Sequence, residues 1–175
     1  DTAHVAVLRR GPGGDPVLSP RGYACAAHDA DSLYLAMRFE LPKGATIRAD
    51  GGFDRGDGIE VSFQSANPKH PTPTFLLWGS VGGTHEGSTA MGASADDAER
   101  LRKGSSYAAT KTATGWSCEW RIPFRAMGLK AGNVDTLFLN LGAQCTANGS
   151  WIVWTPTGGR VCDVANAGEL RLVQR

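Results

Sequence analysis

In several short segments of this 175-residue chain, polar and aromatic side chains alternate with apolar ones. Because successive strand residues point to opposite faces, the alternation predicts one sheet face that carries the polar set. Its members are Glu60, Ser62, Gln64, Leu76, Trp78, Asn140, Ile152 and Trp154. A flat indole packs against the C–H side of a sugar ring, and carboxylates and amides bond its hydroxyl groups. The face therefore predicts a carbohydrate site in which Trp78 stacks on the ring. Glu60, Gln64 and Asn140 would bond the hydroxyls.

The same face has a second interpretation that needs no ligand. Polar faces are common in antiparallel sheets, and a layer of loops would turn Glu60, Asn140 and Trp154 into a buried structural network. Trp78 would then pack beneath the long glycine-rich loop at 82–104. The sequence leaves both interpretations open.

An acidic loop precedes the strand that carries Glu60. It reads Asp-Gly-Gly-Phe-Asp-Arg-Gly-Asp, and its carboxylates are Asp50, Asp54 and Asp57. Calcium takes six to eight oxygen ligands, often from a flexible loop, so these three residues are candidate ligands of a structural calcium ion. Glycine and aspartate are equally typical of turns that bind nothing.

The sequence offers little for catalysis. Asp57 and Glu60 are three positions apart, and strand parity puts them on opposite faces, which is poor geometry for acid–base work. No serine lies in a Gly-x-Ser-x-Gly setting. The four histidines lie apart, in turns and near the N-terminus. We therefore expect a protein that is not an enzyme.

Four cysteines are enough for two disulfides, and the absence of a Cys-x-x-Cys pair argues against a zinc site. Cys145 and Cys162 flank the strand at 151–155 and are the predicted disulfide. Cys25 and Cys118 lie in strands on faces expected to be buried, either paired or as thiols. A disulfide favours an exported protein, so we expect an extracellular or cell-surface location.

Composition excludes two classes of partner. The net charge of +1 gives no reason to expect nucleic acid, since phosphate binding normally needs a basic face, and no apolar run approaches the ~20 residues that span a bilayer. The length suits one domain over residues 1–175. Its 23 glycines and nine prolines punctuate short apolar runs, as in all-β proteins.

The segments themselves predict nine or ten antiparallel strands. Hairpins are expected at 23–40, at 107–122 and at 137–156, the last around Asn148-Gly149. Only 94–102, inside the long loop, has the cap and composition of a short helix. The predicted fold is an all-β antiparallel sandwich of two sheets, of jelly-roll or immunoglobulin-like type.

Several motifs, in this order, resemble carbohydrate-binding module family 9 and the related DOMON-like sandwiches. They are Asp-Ser-Leu-Tyr-Leu at 31–35, Asp57-Gly-Ile-Glu-Val61, a strand with Phe75, Gly115-Trp-x-x-Glu-x-x-Ile-Pro123, the strands of Asn140 and Trp154, and Gly168-x-Leu-x-Leu172. The resemblance covers about 22–173. It implies a non-catalytic, polysaccharide-binding module beside a catalytic domain in a larger protein, often with structural calcium.

The chain also departs from that family. Its sugar binders clamp the ring between two aromatic residues, one just before the Asp57 motif and one shortly before Gly168. Only Phe53 lies near the first position, where it would close on the sugar from the loop, and 160–166 carries no aromatic residue. The usual opening segment has no counterpart, so we expect a piece of a longer domain.

Two other functions remain open. The sandwich would also serve as a structural or protein-interaction domain without a sugar ligand. Relatives of this sandwich bind haem through a Met with a His or Lys. Met91 in the long loop, with His70 or His85, would be the candidate pair here, whereas Met37 faces the core as filler.

Overall fold

The computed structural model describes residues 5–17, 20–49, 55–130 and 134–173. Within these ranges the chain forms eleven strands and one α-helix. In chain order they are β1 Ala6–Leu8, β2 Arg21–His28, β3 Ser32–Glu40, β4 Gly58–Ser65, β5 Phe75–Ser80, β6 His85–Ser88, α1 Ala95–Gly104, β7 Ser106–Lys111, β8 Gly115–Pro123, β9 Thr136–Cys145, β10 Ser150–Val153 and β11 Gly168–Arg171. Short 3-10 helices cover Phe124–Met127 and Val164–Asn166.

The strands form two antiparallel sheets. The five-stranded sheet has the order β1-β2-β3-β8-β7, and the six-stranded sheet has the order β10-β9-β4-β5-β6 with β11 also on β9. The predicted hairpins are β2–β3, β7–β8 and β9–β10, and Gly149 in the last turn has the positive φ of 66° that such a turn requires. The predicted all-β antiparallel sandwich is confirmed.

The core lies between the inner faces of the two sheets. From the five-stranded sheet it receives Leu33, Leu35, Met37, Phe39, Trp116, Cys118, Trp120 and Ile122, and from the six-stranded sheet Ile59, Val61, Phe63, Phe75, Leu77, Leu139 and Leu141. Each of these side chains is at most 3% exposed. Burial of one such side chain stabilises the fold by about 1.5–3 kcal/mol. The alternation read from the sequence therefore assigns these strands to the correct faces.

Helix α1 is the predicted helix, two residues longer at its C-terminal end. The Ser94 hydroxyl accepts a hydrogen bond from the Asp97 backbone N–H at 3.0 Å, which caps the first turn. Leu101 is fully buried and fixes the helix to the core. In the described part of the chain, no helix has the length and apolar character that a bilayer span requires.

The prediction of a Cys145–Cys162 disulfide is wrong, because all four cysteines are free thiols. Cys145 has the same strand parity as Leu141 and Ala143 and so points inward. Cys162 lies against the outer face of the same sheet, so the backbone of β9 separates the two sulfur atoms. Cys25 also differs from expectation, since it is only half-buried and lies on the outer face of β2.

Strands β10 and β11 share one edge of β9, and the chain between them returns over the outer face of the sheet. Asn140 fixes this return. Its Nδ2 donates to the carbonyls of Thr155 at 3.0 Å and Val161 at 2.9 Å, and its Oδ1 accepts from the backbone N–H of Leu141 and Thr155. The Ser62 hydroxyl adds a 3.3 Å bond to the Val161 carbonyl. Residues 155–163, the return segment, are thereby held on the sheet.

We predict that Asn140→Ala lowers the free energy of unfolding by about 2–4 kcal/mol, because it leaves several buried backbone groups without partners. Denaturant titration measures the change. Asn166→Ala is the matched control, since Asn166 is exposed and its side chain makes one hydrogen bond, to Asp163; its effect should stay within about 0.5 kcal/mol. Equal effects of the two variants would contradict the role of Asn140.

The cysteines give a second prediction. In the folded protein at neutral pH, Ellman's reagent should label Cys25 first, because burial raises the pKa of the thiols of Cys118, Cys145 and Cys162. Unfolding without reductant should expose four reactive thiols. Cys25→Ser should remove the fast phase. A mass two hydrogens lighter than the reduced chain would show a disulfide and contradict this arrangement.

Candidate functional site

A groove of about 570 Å³ lies on the outer face of the six-stranded sheet. Its floor is formed by Glu60 of β4 and by Leu76 and Trp78 of β5. One wall runs along 86–91, from β6 into the following turn, and the other consists of Trp151 and residues 159–162. The return segment thus supplies one side of the groove.

The strand register places the side chains of the groove floor next to one another. Glu60 lies directly opposite Trp78 on the neighbouring strand, and Trp78 lies opposite Glu86 on the next. These three side chains form a row across β4, β5 and β6, with the indole between two carboxylates. Their sequence neighbours Ile59 and Leu77 point into the core, which fixes the row on the outer face.

Glu60 is the buried carboxylate of this groove, with only 3% of its surface exposed. It lies beside the Cys162 thiol. Burial foremost, and then the negative charge of Glu60, raise the pKa of that thiol, whereas the Arg160 guanidinium acts in the opposite direction. Cys162 therefore lies within the influence of both charges, one at the floor and one on the exposed rim.

The two tryptophans of the groove differ from the sequence prediction. Trp78, which the sequence left as either an exposed platform or a ring packed beneath a loop, is 2% exposed, and it covers Gly58, where a methyl group would overlap the indole. Trp151 is half-buried, with its ring centre 6.0 Å from that of Trp78 and the two planes at 54°. Trp151 is thus the accessible aromatic surface, and Trp78 supports it from below.

Trp151 was missed because β10 was placed one residue out of phase. Ile152 was predicted on the outer face, but it pairs with Ala143 and is fully buried in the core. Trp151 and Val153 consequently point outward. Counting the hairpin register back from Asn148-Gly149 would have shown this, because Ser150 pairs with Cys145.

Three other predicted ligand residues lie outside the groove. The Gln64 amide donates to the Thr72 carbonyl at 3.0 Å and fixes the turn before β5. Asn140 is fully buried beneath the return segment. Trp154 packs over Gly168 and against the core cluster. For Asn140 the structure matches the interpretation of a buried network beneath loops, whereas Trp154 is half-buried.

Of the acidic loop, Asp50, Phe53 and Asp54 lie outside the described residues. The carboxylate of Asp57 is fully buried and accepts from the N–H of Arg48 at 2.7 Å, the N–H of Thr146 at 2.6 Å and the Thr146 hydroxyl at 2.9 Å. Both oxygens are therefore engaged in joining two loops. In the described part of the chain, no three His, Cys, Asp or Glu side chains gather to hold a metal. The calcium site stays a prediction.

Of the candidate haem ligands, His85 and Met91 do not meet. The His85 ring packs edge-on to Trp120 in the sandwich interior at 5.5 Å, and its Nε2 lies 3.0 Å from the Arg102 carbonyl. Met91 lines the groove on the opposite side of the sheet, and Met37 is buried in the core. His85 and Met91 are thus separated by the sheet backbone.

No protein-family model matches this sequence, and a search of curated proteins finds no match. Solved structures do resemble the fold. A carbohydrate-binding module family 9 protein from Caldicellulosiruptor kristjanssonii in complex with cellotriose superposes with a TM-score of 0.74 at 12% identity, over 99% of this chain and 84% of that one. The same family in complex with glucose, from the same organism, gives 0.73 at 12% identity, over 99% and 85%.

A candidate carbohydrate-binding protein from Bacteroides uniformis gives a TM-score of 0.70 at 16% identity, over 98% of this chain and 87% of that one. At these identities the likeness concerns architecture, not individual side chains. The chain therefore has a fold like that of carbohydrate-binding module family 9, as the sequence motifs predicted.

Proposed function

We propose that this protein binds a carbohydrate, without catalysis, in the groove on the outer face of the six-stranded sheet. The observation that carries the proposal is that Trp151 and the buried side chain of Glu60 line the same groove. The fold is shared with structures that contain cellotriose and glucose.

The chemistry of the groove suits a sugar ring. The half-buried indole of Trp151 offers a flat apolar surface to C–H groups, as sugar recognition requires. Glu60 accepts from hydroxyl groups at the floor, while Arg160 donates from the rim. These polar groups lie among apolar side chains, which is the usual composition of a small-molecule site. Trp151 thus replaces Trp78 as the stacking residue.

The wider setting is also a proposal. We expect the sugar to belong to a polysaccharide or oligosaccharide, and the chain to act beside a catalytic domain in one polypeptide. We propose an extracellular location because the proposed ligand is a polysaccharide. The predicted disulfide does not contribute to this proposal, since the cysteines are free. Structural calcium in the 50–57 loop belongs to the same group of expectations.

We predict that Trp151→Ala weakens oligosaccharide binding at least about fivefold, because truncation of a central aromatic side chain at a binding site costs more than about 1 kcal/mol. Isothermal titration calorimetry with a panel of neutral oligosaccharides, including cellotriose and glucose, measures the change.

Trp154→Ala is the matched control, since this half-buried tryptophan lies three positions away but packs over Gly168 outside the groove. It should lower the melting temperature while leaving affinity near that of the parent. Equal loss of affinity in both variants, or none in either, would place the sugar elsewhere. If the parent protein binds no oligosaccharide of the panel, the alternative of a structural or protein-interaction domain is favoured.

A further inference from the structure

We infer that a sugar ring stacked on Trp151 is covered on its other face by Met91, and that oxidation of the Met91 thioether to a sulfoxide weakens sugar binding. The inference rests on the proposed function, since it adds a binding residue to the same site and a chemical change that regulates it. The juxtaposition that points to it is Met91 on one wall of the groove and Trp151 on the other.

The sheet order places these two side chains on opposite walls. Met91 follows β6 and Trp151 lies on β10, and these strands are the two ends of the order β10-β9-β4-β5-β6. Both side chains are half-buried, so each turns part of its apolar surface toward the groove. A pyranose ring has C–H groups on both faces, and the unbranched, polarizable thioether of methionine adapts to such an irregular apolar surface. Met91 thus suits the face of the ring that Trp151 leaves uncovered.

The turn that carries Met91 is held on both sides of this residue. The Ser88 hydroxyl oxygen accepts a hydrogen bond from the Ala90 backbone N–H at 3.1 Å. Gly92 has a positive φ of 93°, which favours glycine, and it forms a β-bridge with Thr74, the residue before β5. The backbone at Met91 is therefore fixed before a ligand arrives, which reduces the entropic cost of binding.

Met91 is also the methionine that an oxidant in water reaches most easily. The chain has three methionines, and Met37 and Met127 are only 3% and 1% exposed in the core. Hydrogen peroxide should therefore react first at Met91. In this reaction the O–O bond breaks, one oxygen atom forms an S–O bond with the thioether, the sulfur is oxidised and the peroxide is reduced to water.

The product changes the chemistry of the wall. A sulfoxide is polar and chiral, whereas the thioether is apolar. A ring stacked on Trp151 would remove the sulfoxide oxygen of Met91 from water and offer it C–H groups, and burial of a polar group without a hydrogen-bond partner is unfavourable. The oxidised groove therefore binds sugar more weakly. Methionine sulfoxide reductases reverse the oxidation, so the loss is reversible.

The experiment treats the protein with dilute hydrogen peroxide and measures its affinity by calorimetry for an oligosaccharide that the untreated protein binds. Peptide mass spectrometry should find the added oxygen atom on Met91 before Met37 or Met127. The affinity should fall at least about fivefold, as for the loss of a central contact. Reduction by sulfoxide reductases specific for each epimer should restore it. Bound oligosaccharide should slow the oxidation of Met91.

Two leucine variants separate Met91 from the other groups that peroxide oxidises. Met91→Leu has no sulfur at this position, so its affinity, whatever its value, should be the same before and after peroxide. Met37→Leu is the matched control, since Met37 lies in the core, and it should keep the peroxide sensitivity of the parent. Both variants retain the four cysteines, so a loss of binding through thiol oxidation would occur in both. Volume-conserving substitutions of this kind usually preserve the fold.

Unchanged affinity of the protein oxidised at Met91 would overturn the inference and leave the proposed function standing. Equal peroxide sensitivity of Met91→Leu and the parent would also overturn it, since another group would then be responsible. Oxidation of Met37 or Met127 ahead of Met91 would contradict the accessibility on which the inference depends. If the untreated protein binds no oligosaccharide, both the inference and the proposed function are overturned.

Discussion

The groove depends on one buried amide that does not line it. Asn140 is fully buried, and its side chain holds the return segment at Thr155 and Val161 while bonding its own strand through Leu141. Buried backbone groups are costly when unpaired, so the amide stabilises the position of this segment on the sheet by satisfying them. Arg160, Val161 and Cys162 follow directly as the groove wall.

The close approach of two side chains to glycines of the sheet completes the site. Val161 rests on Gly142, where the Cβ of any other residue would lie 2.5 Å from a Val161 methyl group. Trp78 covers Gly58 in the same way. Since glycine allows backbone and side chain to approach more closely than other residues do, the outer face carries a second packed layer. The sheet therefore has a structured surface, and the groove is the space that this layer leaves open.

Strand alternation made the core predictable. Residues such as Phe39, Trp120 and Val61 stand at alternate positions with polar neighbours between them, so their faces followed from parity alone. The run Trp151-Ile-Val-Trp154 has no such alternation, because both of its faces meet packed structure, and its phase was misjudged there.

The sequence predicts less well which residues are buried by segments that are distant along the chain. The acceptors of the Asn140 amide lie 15 and 21 positions away, and no local pattern reports them. For Trp78 the sequence left open both an exposed platform and a ring packed beneath a loop, because strand parity reports on its own strand alone. The cysteines show the same limitation: Cys145 and Cys162 flank one strand in sequence, yet the sheet lies between them.

The most direct test of the central claim follows the indole N–H signals of the five tryptophans by nuclear magnetic resonance during titration with an oligosaccharide that the protein binds. If the groove is the site, the signals of Trp151 and Trp78 should move in a saturable manner. Those of Trp116, Trp120 and Trp154 should stay in place, because these rings lie in the core or over Gly168. Movement of the Trp154 signal with a stationary Trp151 signal would contradict the account.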